Sequence, residues 1–239
     1  MENRRFNVSQ NQGSYAATRT GSGTEISVEA RKVLKNTYML LAMTLVFSAV
    51  TAGIAMQLQM GQGASLICSL AALALIWFVL PRTANSPAGI AVVFAFTGLL
   101  GLSLGPMLSH YLAFSNGGTI VMQALGGTAL VFFALSGYVL TTKKDFSFMR
   151  SFLVAGLVVV LVTMLGAFVA SMFGFNVSML HLALSAAIVL LMSGFMLYDT
   201  SRIVNGGETN YVMATVGLYL SIYNMFVSLL HLIGAFSSD

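Results

Sequence analysis

Of the seven acidic residues, Asp199 alone falls inside a long apolar run; Glu2, Glu25, Glu29, Asp145, Glu208 and Asp239 lie outside such runs. A carboxylate in the middle of a membrane helix costs on the order of 3 kcal/mol, and less near an interface. Asp199 sits about one turn from the end of its run, which lowers that cost. Arg202, three residues on, is close enough along a helix to pair with it. Two readings follow: an interfacial ion pair anchoring a helix end, or a protonatable gate on an ion path. The last apolar run carries the groups such a gate would face. Ala214, Gly217, Ser221, Asn224, Ser228, His231 and Ala235 recur at spacings of three and four and share one helical stripe. Leu218, Leu220, Ile222, Met225, Phe226, Leu229 and Leu232 fill the other sides. A small, polar stripe on an apolar helix is expected to face the protein interior. It serves either as hydrogen-bonding glue between helices or as the wall of a hydrated path. The three histidines, His110 ending the third run, His181 beginning the sixth and His231 in the outer half of the last, are expected towards the extracytoplasmic side. They are candidates for a pH-sensing group. No short-range ligand spacing supports a metal site.

Other chemistries are excluded by what is missing. No Lys follows Lys144, so the last run offers no Schiff-base lysine. One intramembrane aspartate cannot make an aspartyl-protease pair. The chain holds no HExxH, Walker A or GxSxG motif, and no catalytic constellation emerges. Cys68 is the single cysteine, so no intramolecular disulfide or CxxC pair exists. Its apolar neighbours point to a buried packing residue.

The elements that must position these groups are membrane helices. Hydrophobic residues make up 57% of the 239 residues and charged ones 8%, against about 25% in soluble domains. Mean hydropathy is +0.88. So few ionic groups could not cover the surface of a water-soluble fold. Spans of about 20 apolar residues occur seven times: Lys35–Met56, Ala64–Leu80, Gly89–Ser109, Thr119–Leu140, Ser151–Phe173, Met179–Ile203 and Tyr211–Phe236. The expected fold is all-α, a seven-transmembrane-helix bundle. The first 30 residues hold no long apolar run, so no cleavable signal peptide is expected. Residues 1–30 read as a flexible cytoplasmic tail, with Val8–Thr24 polar and aperiodic and Glu25–Lys35 a charged lead-in, and residues 31–239 as the transmembrane domain.

The net charge of +4 does not mark a nucleic-acid partner, because the basic residues are scattered among short connections. Their distribution is topological. Arg4, Arg5, Arg19, Arg31, Lys32 and Lys35 precede or open the first span. Arg82 follows the second, Lys143, Lys144 and Arg150 flank the fourth connection, and Arg202 ends the sixth span. All eleven therefore fall on one side of a seven-span chain. The positive-inside rule makes that side cytoplasmic, with the N-terminus inside and the C-terminus outside. Small residues are expected to let helices approach: Gly98, Gly101 and Gly105 in the third span, Gly126, Gly127 and Gly137 in the fourth, Gly156, Thr163, Gly166 and Ala170 in the fifth. Pro106 is expected to bend the third.

Four strings carry a resemblance: Arg31-Lys-Val-Leu-Lys-Asn-Thr-Tyr38, Ala124-Leu-Gly-Gly-Thr-Ala-Leu-Val-Phe-Phe133, Tyr138-Val-Leu-Thr-Thr-Lys-Lys-Asp145, and Gly206-Gly-Glu-Thr-Asn-Tyr211 leading to Leu218-Tyr-Leu-Ser-Ile-Tyr-Asn-Met-Phe226. From about Arg31 onward the chain resembles the bacterial branch of the Bax inhibitor-1 (transmembrane BAX inhibitor motif) family. That resemblance implies a non-enzymatic inner-membrane modulator of the ATP-driven protease FtsH. Such a protein associates with FtsH, alone or with HflK and HflC, and acts as a poorly degraded competitor. It implies no cofactor. Other members of the wider family are pH-sensitive calcium leaks gated by a pair of acids in spans six and seven, with Ca2+ as permeant ion. The span-six acid matches Asp199 in Leu197-Tyr-Asp-Thr200, but the span-seven position holds Ser221. A hydroxyl cannot share a proton with a carboxylate as a second acid does, which puts that gate in doubt here. Asn224, one turn on, could still offer Asp199 a neutral hydrogen bond if the helices are suitably staggered.

Overall fold

The computed structural model describes residues 26–237, and seven helices in it are long and apolar enough to cross a membrane. They are α1 (Val28–Gln57), α2 (Gln62–Thr83), α3 (Pro87–Leu112), α4 (Gly117–Thr142), α5 (Arg150–Met172), α6 (Ser178–Val204) and α7 (Tyr211–Phe236). The polar tail expected over Val8–Thr24 lies outside the described residues. The charged lead-in is already helical from Val28, because Ser27 accepts a hydrogen bond from the Ala30 N–H at 3.1 Å and caps α1. Within α2 the turn Leu75–Val79 widens, the Leu80 N–H reaching the carbonyl of Leu75. The wide turn sits just before Pro81, which has no N–H to give the ladder. Pro106, by contrast, stays inside the continuous helix α3.

The last helix is the hub. Among the described residues α7 packs against α1, α3, α4 and α6, whereas α2 packs on α3 and α5 on α6. Phe96, Met196, Leu218, Tyr219 and Met225 are fully buried around it. The stripe drawn on α7 is therefore only partly the inward face. Ala214, Ser221 and Ser228 are buried, but so are Leu218, Ile222, Met225 and Phe226 on the supposed outer sides. His231 and Ala235 are exposed. A helix enclosed by four neighbours has several inward faces, and small-residue periodicity marks only one of them. Cys68 is not the buried residue expected: it is half exposed, since α2 has one neighbour.

The closest approach joins α1 and α3. A methyl group placed on Gly101 would lie 2.0 Å from Thr51 Oγ1 and 2.3 Å from the Ser48 carbonyl; on Gly105 it would lie 2.4 Å from the Ala55 Cβ. Between helices in lipid such close contact supplies the dispersion energy that water-driven burial supplies elsewhere. Gly126, Gly137 and Gly166 do not play this part, for nothing lies within 4 Å of a methyl at any of them. They face outward from α4 and α5.

Connections with basic residues gather at one end. Asn210 Nδ2 donates to the Ala84 carbonyl at 3.0 Å, tying the α6–α7 turn to the α2–α3 turn. Ser201 Oγ donates to the Lys144 carbonyl at 3.1 Å and accepts from the Phe146 N–H at 2.9 Å, tying α6 to the α4–α5 connection. At the opposite end Asn116 Nδ2 donates to the Ser237 carbonyl at 3.1 Å. The charge split read from the sequence is thus a split between two physical ends of the bundle.

Candidate functional site

The turn after α6 builds the polar end of the molecule. Gly206 has φ +74, a left-handed conformation open to glycine, and it folds the chain back on α6. The N–H groups of Gly207 and Glu208 then both bond the Arg202 carbonyl, at 2.8 and 3.1 Å. That reversal carries the Glu208 carboxylate to the Arg202 side chain, where Nη2 donates to Oε2 at 3.0 Å. Glu208 Oε1 accepts the Asn210 N–H at 3.0 Å, and Asn210 Oδ1 caps α7 by accepting from Val212 and Met213 at 2.8 and 3.1 Å. The string Gly206-Gly-Glu-Thr-Asn-Tyr211 is a device for reversing the chain between two packed helices.

Arg202 is therefore Glu208's partner, not Asp199's. Its guanidinium also lies 5.6 Å from the Tyr198 ring centroid. Helical spacing allowed the Asp199 pair, but a turn that returns a second carboxylate competes for the same guanidinium. Asp199 remains within electrostatic reach of both charges. Its carboxylate is partly exposed, and among the described residues no hydrogen bond to it forms. It rests on the backbone of α7 at Gly217, where a methyl group would stand 3.0 Å from Oδ2. Gly217 lies one turn nearer the turn than Ser221. Ser221 is buried. Asn224 spends its amide on the Leu220 carbonyl at 2.8 Å, within its own helix, and so does not serve Asp199.

Where α1, α4 and α6 meet, the structure places hydroxyls that sequence reasoning passed over. Ser136 of α4 and Thr200 of α6 approach to 3.5 Å. The Tyr38 hydroxyl of α1 is buried near both without a well-formed bond to either. Thr37, next to Tyr38 in the chain, is fully buried, and its carbonyl accepts from Thr215 Oγ1 of α7 at 3.4 Å. Further in, Ser48 and Tyr219 share a hydrogen bond of 2.7 Å, Tyr223 and Ser103 one of 3.0 Å, and Ser65 Oγ donates to the Ser103 carbonyl at 2.6 Å. The available signal was the presence of Ser, Thr and Tyr inside apolar runs, where lipid gives hydroxyls no partner and protein must. These bonds join α7 to α1 and α3 and fix the hub.

The histidines sit at the other end, all three exposed. Tyr111 links two of them, its ring centroid 5.6 Å from His110 and 6.3 Å from His231. His181 is in electrostatic reach of His231. Among the described residues no three His, Cys, Asp or Glu side chains are grouped as a metal site would need.

Comparison with known proteins agrees with this architecture. The family model described as Inhibitor of apoptosis-promoting Bax1 matches residues 30–238. An Escherichia coli K12 protein named Modulator of FtsH protease YccA is 51% identical over 89% of this chain and 94% of its own. Its counterpart in E. coli O6:H1, named Inner membrane protein YccA, gives the same identity and coverage. An uncharacterised membrane protein of Vibrio cholerae is 48% identical over 93% of this chain and 97% of its own. With seven apolar helices around a central last one, and a family model spanning all of them, this multi-pass membrane protein belongs to the Bax inhibitor-1 family.

Proposed function

We propose that this chain is an inner-membrane modulator of the ATP-dependent protease FtsH, which it restrains as a poorly degraded competitor of other membrane proteins. The observation that carries this reading is the 51% identity, over 89% of the chain, with the E. coli protein named for that modulation. The bundle has the physical character the role needs. Extracting α7 means breaking contacts with four helices, and α1 and α3 interlock with no space for a methyl group at Gly101. A protein pulled by an ATP-driven protease resists in proportion to its barrier to unfolding. Residues 1–24 precede α1 at the basic end, which the positive-inside rule assigns to the cytoplasm. They are the segment the protease would engage. FtsH acts alone or with HflK and HflC in this scheme, and no reaction is assigned to the chain itself. Co-purification from mild detergent should recover FtsH, and deleting residues 1–24 should change the half-life of the protein. A half-life unmoved by both tail deletion and FtsH depletion would overturn the proposal. A proton-gated cation leak has less support, because Asp199 rests on the α7 backbone at Gly217, and Glu208, the acid within its electrostatic reach, is paired with Arg202.

A further inference from the structure

Helix α4 has one face inside the bundle and another outside it. Ile120 and Ala124 are buried together with Phe226 and Leu230 of α7. On the other side Thr119, Gln123, Gly126, Leu130, Phe133 and Gly137 are all exposed. Successive members of that row are four, three, four, three and four residues apart. Such a seven-residue repeat is the seam along which two helices pack when they cross at about 20°. The seam fits a copy of itself. In a parallel pair each large side chain enters a hole formed by four residues of the facing helix. Leu130 would enter beside Gly126 and Ala129 of a second copy, and Phe133 beside Ala134 and Gly137. All four hole residues are small and exposed. Within one chain, nothing lies within 4 Å of a methyl group at Gly126 or Gly137.

Polar chemistry selects the same partner. Gln123 carries an amide that both donates and accepts, and among the described residues no hydrogen bond to it forms. The 26 residues of α4 rise roughly 39 Å, against a hydrocarbon core of about 30 Å. Gln123 lies roughly 9 Å from the start of the helix, so it falls within that core when α4 is centred there. Lipid tails offer an amide no partner. Two copies inserted under one charge asymmetry run parallel, and a twofold axis along the membrane normal puts both Gln123 amides at equal depth. Each can then donate to the other. An unrelated helix would need a polar group at that one depth, whereas a second copy has it by symmetry. A single polar residue on such a seam also fixes the register of the pair.

We propose that the outward face of α4 is a homodimer interface, along which two copies pack in parallel from Thr119 to Gly137 and pair through Gln123. This interface is independent of the protease reading, and either can fail without the other. The test is energy transfer between donor- and acceptor-labelled full chains diluted in phosphatidylethanolamine–phosphatidylglycerol liposomes. Transfer should rise with protein density and saturate at two copies. Gln123→Leu should weaken association about fivefold or more, and Gln123→Asn should keep it within twofold of the parent. Ala134→Leu, which fills the hole for Phe133, should abolish it. In a Cys68→Ser background, oxidation of native membranes should link Leu130→Cys to its own copy and leave Val158→Cys, exposed on α5, unlinked. A chain that stays monomeric at every density would overturn the proposal. So would a Gln123→Leu chain that associates like the parent, or a Leu130→Cys chain that links no better than Val158→Cys.

Discussion

Asp199 was visible in the sequence as the one acid inside an apolar run, but its partners were not. Local spacing offered Arg202, three residues away, whereas the left-handed turn at Gly206 brings Glu208 back to that guanidinium. The carboxylate is left against the α7 backbone at Gly217, and the acid within its electrostatic reach, Glu208, is held by Arg202. Asp199→Asn should consequently leave calcium flux from reconstituted liposomes unchanged from the parent rate; a loss or gain of flux would restore the gate. Glu208 is the more structural acid, because it holds both the Arg202 side chain and the Asn210 N–H ahead of the α7 cap. A half-buried surface ion pair such as this one contributes on the order of 1 kcal/mol. A backbone N–H left without its carboxylate adds a cost of about 1 kcal/mol or more. Glu208→Ala should therefore lower stability more than Arg202→Gln does, as read by thermal unfolding in detergent. Equal losses would mean that the bond to Asn210 contributes nothing.

At the scale of elements, all seven helices were legible, because about 20 apolar residues between polar turns leave few alternatives in a bilayer. Which face of each helix turns inward was less so. In water the inward face is the apolar one, but here both faces are apolar and only small residues distinguish them. That signal was right for Gly98, Gly101 and Gly105 of α3 and wrong for Gly126, Gly137 and Gly166. A glycine stripe does not record whether another helix lies opposite it. The hydroxyl layer of Tyr38, Ser136 and Thr200 was missed for a like reason, since its members come from three helices with no common spacing. The contrast can be measured. Gly101→Ala places a methyl 2.0 Å from Thr51 Oγ1 and 2.3 Å from backbone, so α1 and α3 must separate. Overpacking of this kind costs about 1–3 kcal/mol or more. Gly126→Ala meets nothing within 4 Å and gains up to about 1 kcal/mol of helix propensity. Opposite signs in a pair of unfolding measurements are expected. A stabilising Gly101→Ala would show that the helices are not in close contact.

For the whole molecule, the orientation in the membrane controls what the tail and the basic rim can meet. Eight basic residues lie among the described ones, from Arg31 to Arg202, and they flank the start of α1, the ends of α2, α4 and α6, and the start of α5. Hydrogen bonds from Asn210 to Ala84 and from Ser201 to Lys144 tie the basic connections together, so the charge asymmetry belongs to one end of a rigid bundle. The other end carries His110, His181 and the last turn of α7, fastened to the α3–α4 connection by Asn116. By the positive-inside rule this asymmetry predicts that the basic end faces the cytoplasm. Seven spans then predict that the two termini lie on opposite sides. Alkaline phosphatase fused after Asp239 should be active and green fluorescent protein fused there dark, with the reverse at Met1. The same compartment for both termini would remove one span from the bundle. It would also take the proposed protease handle off the face where it is needed.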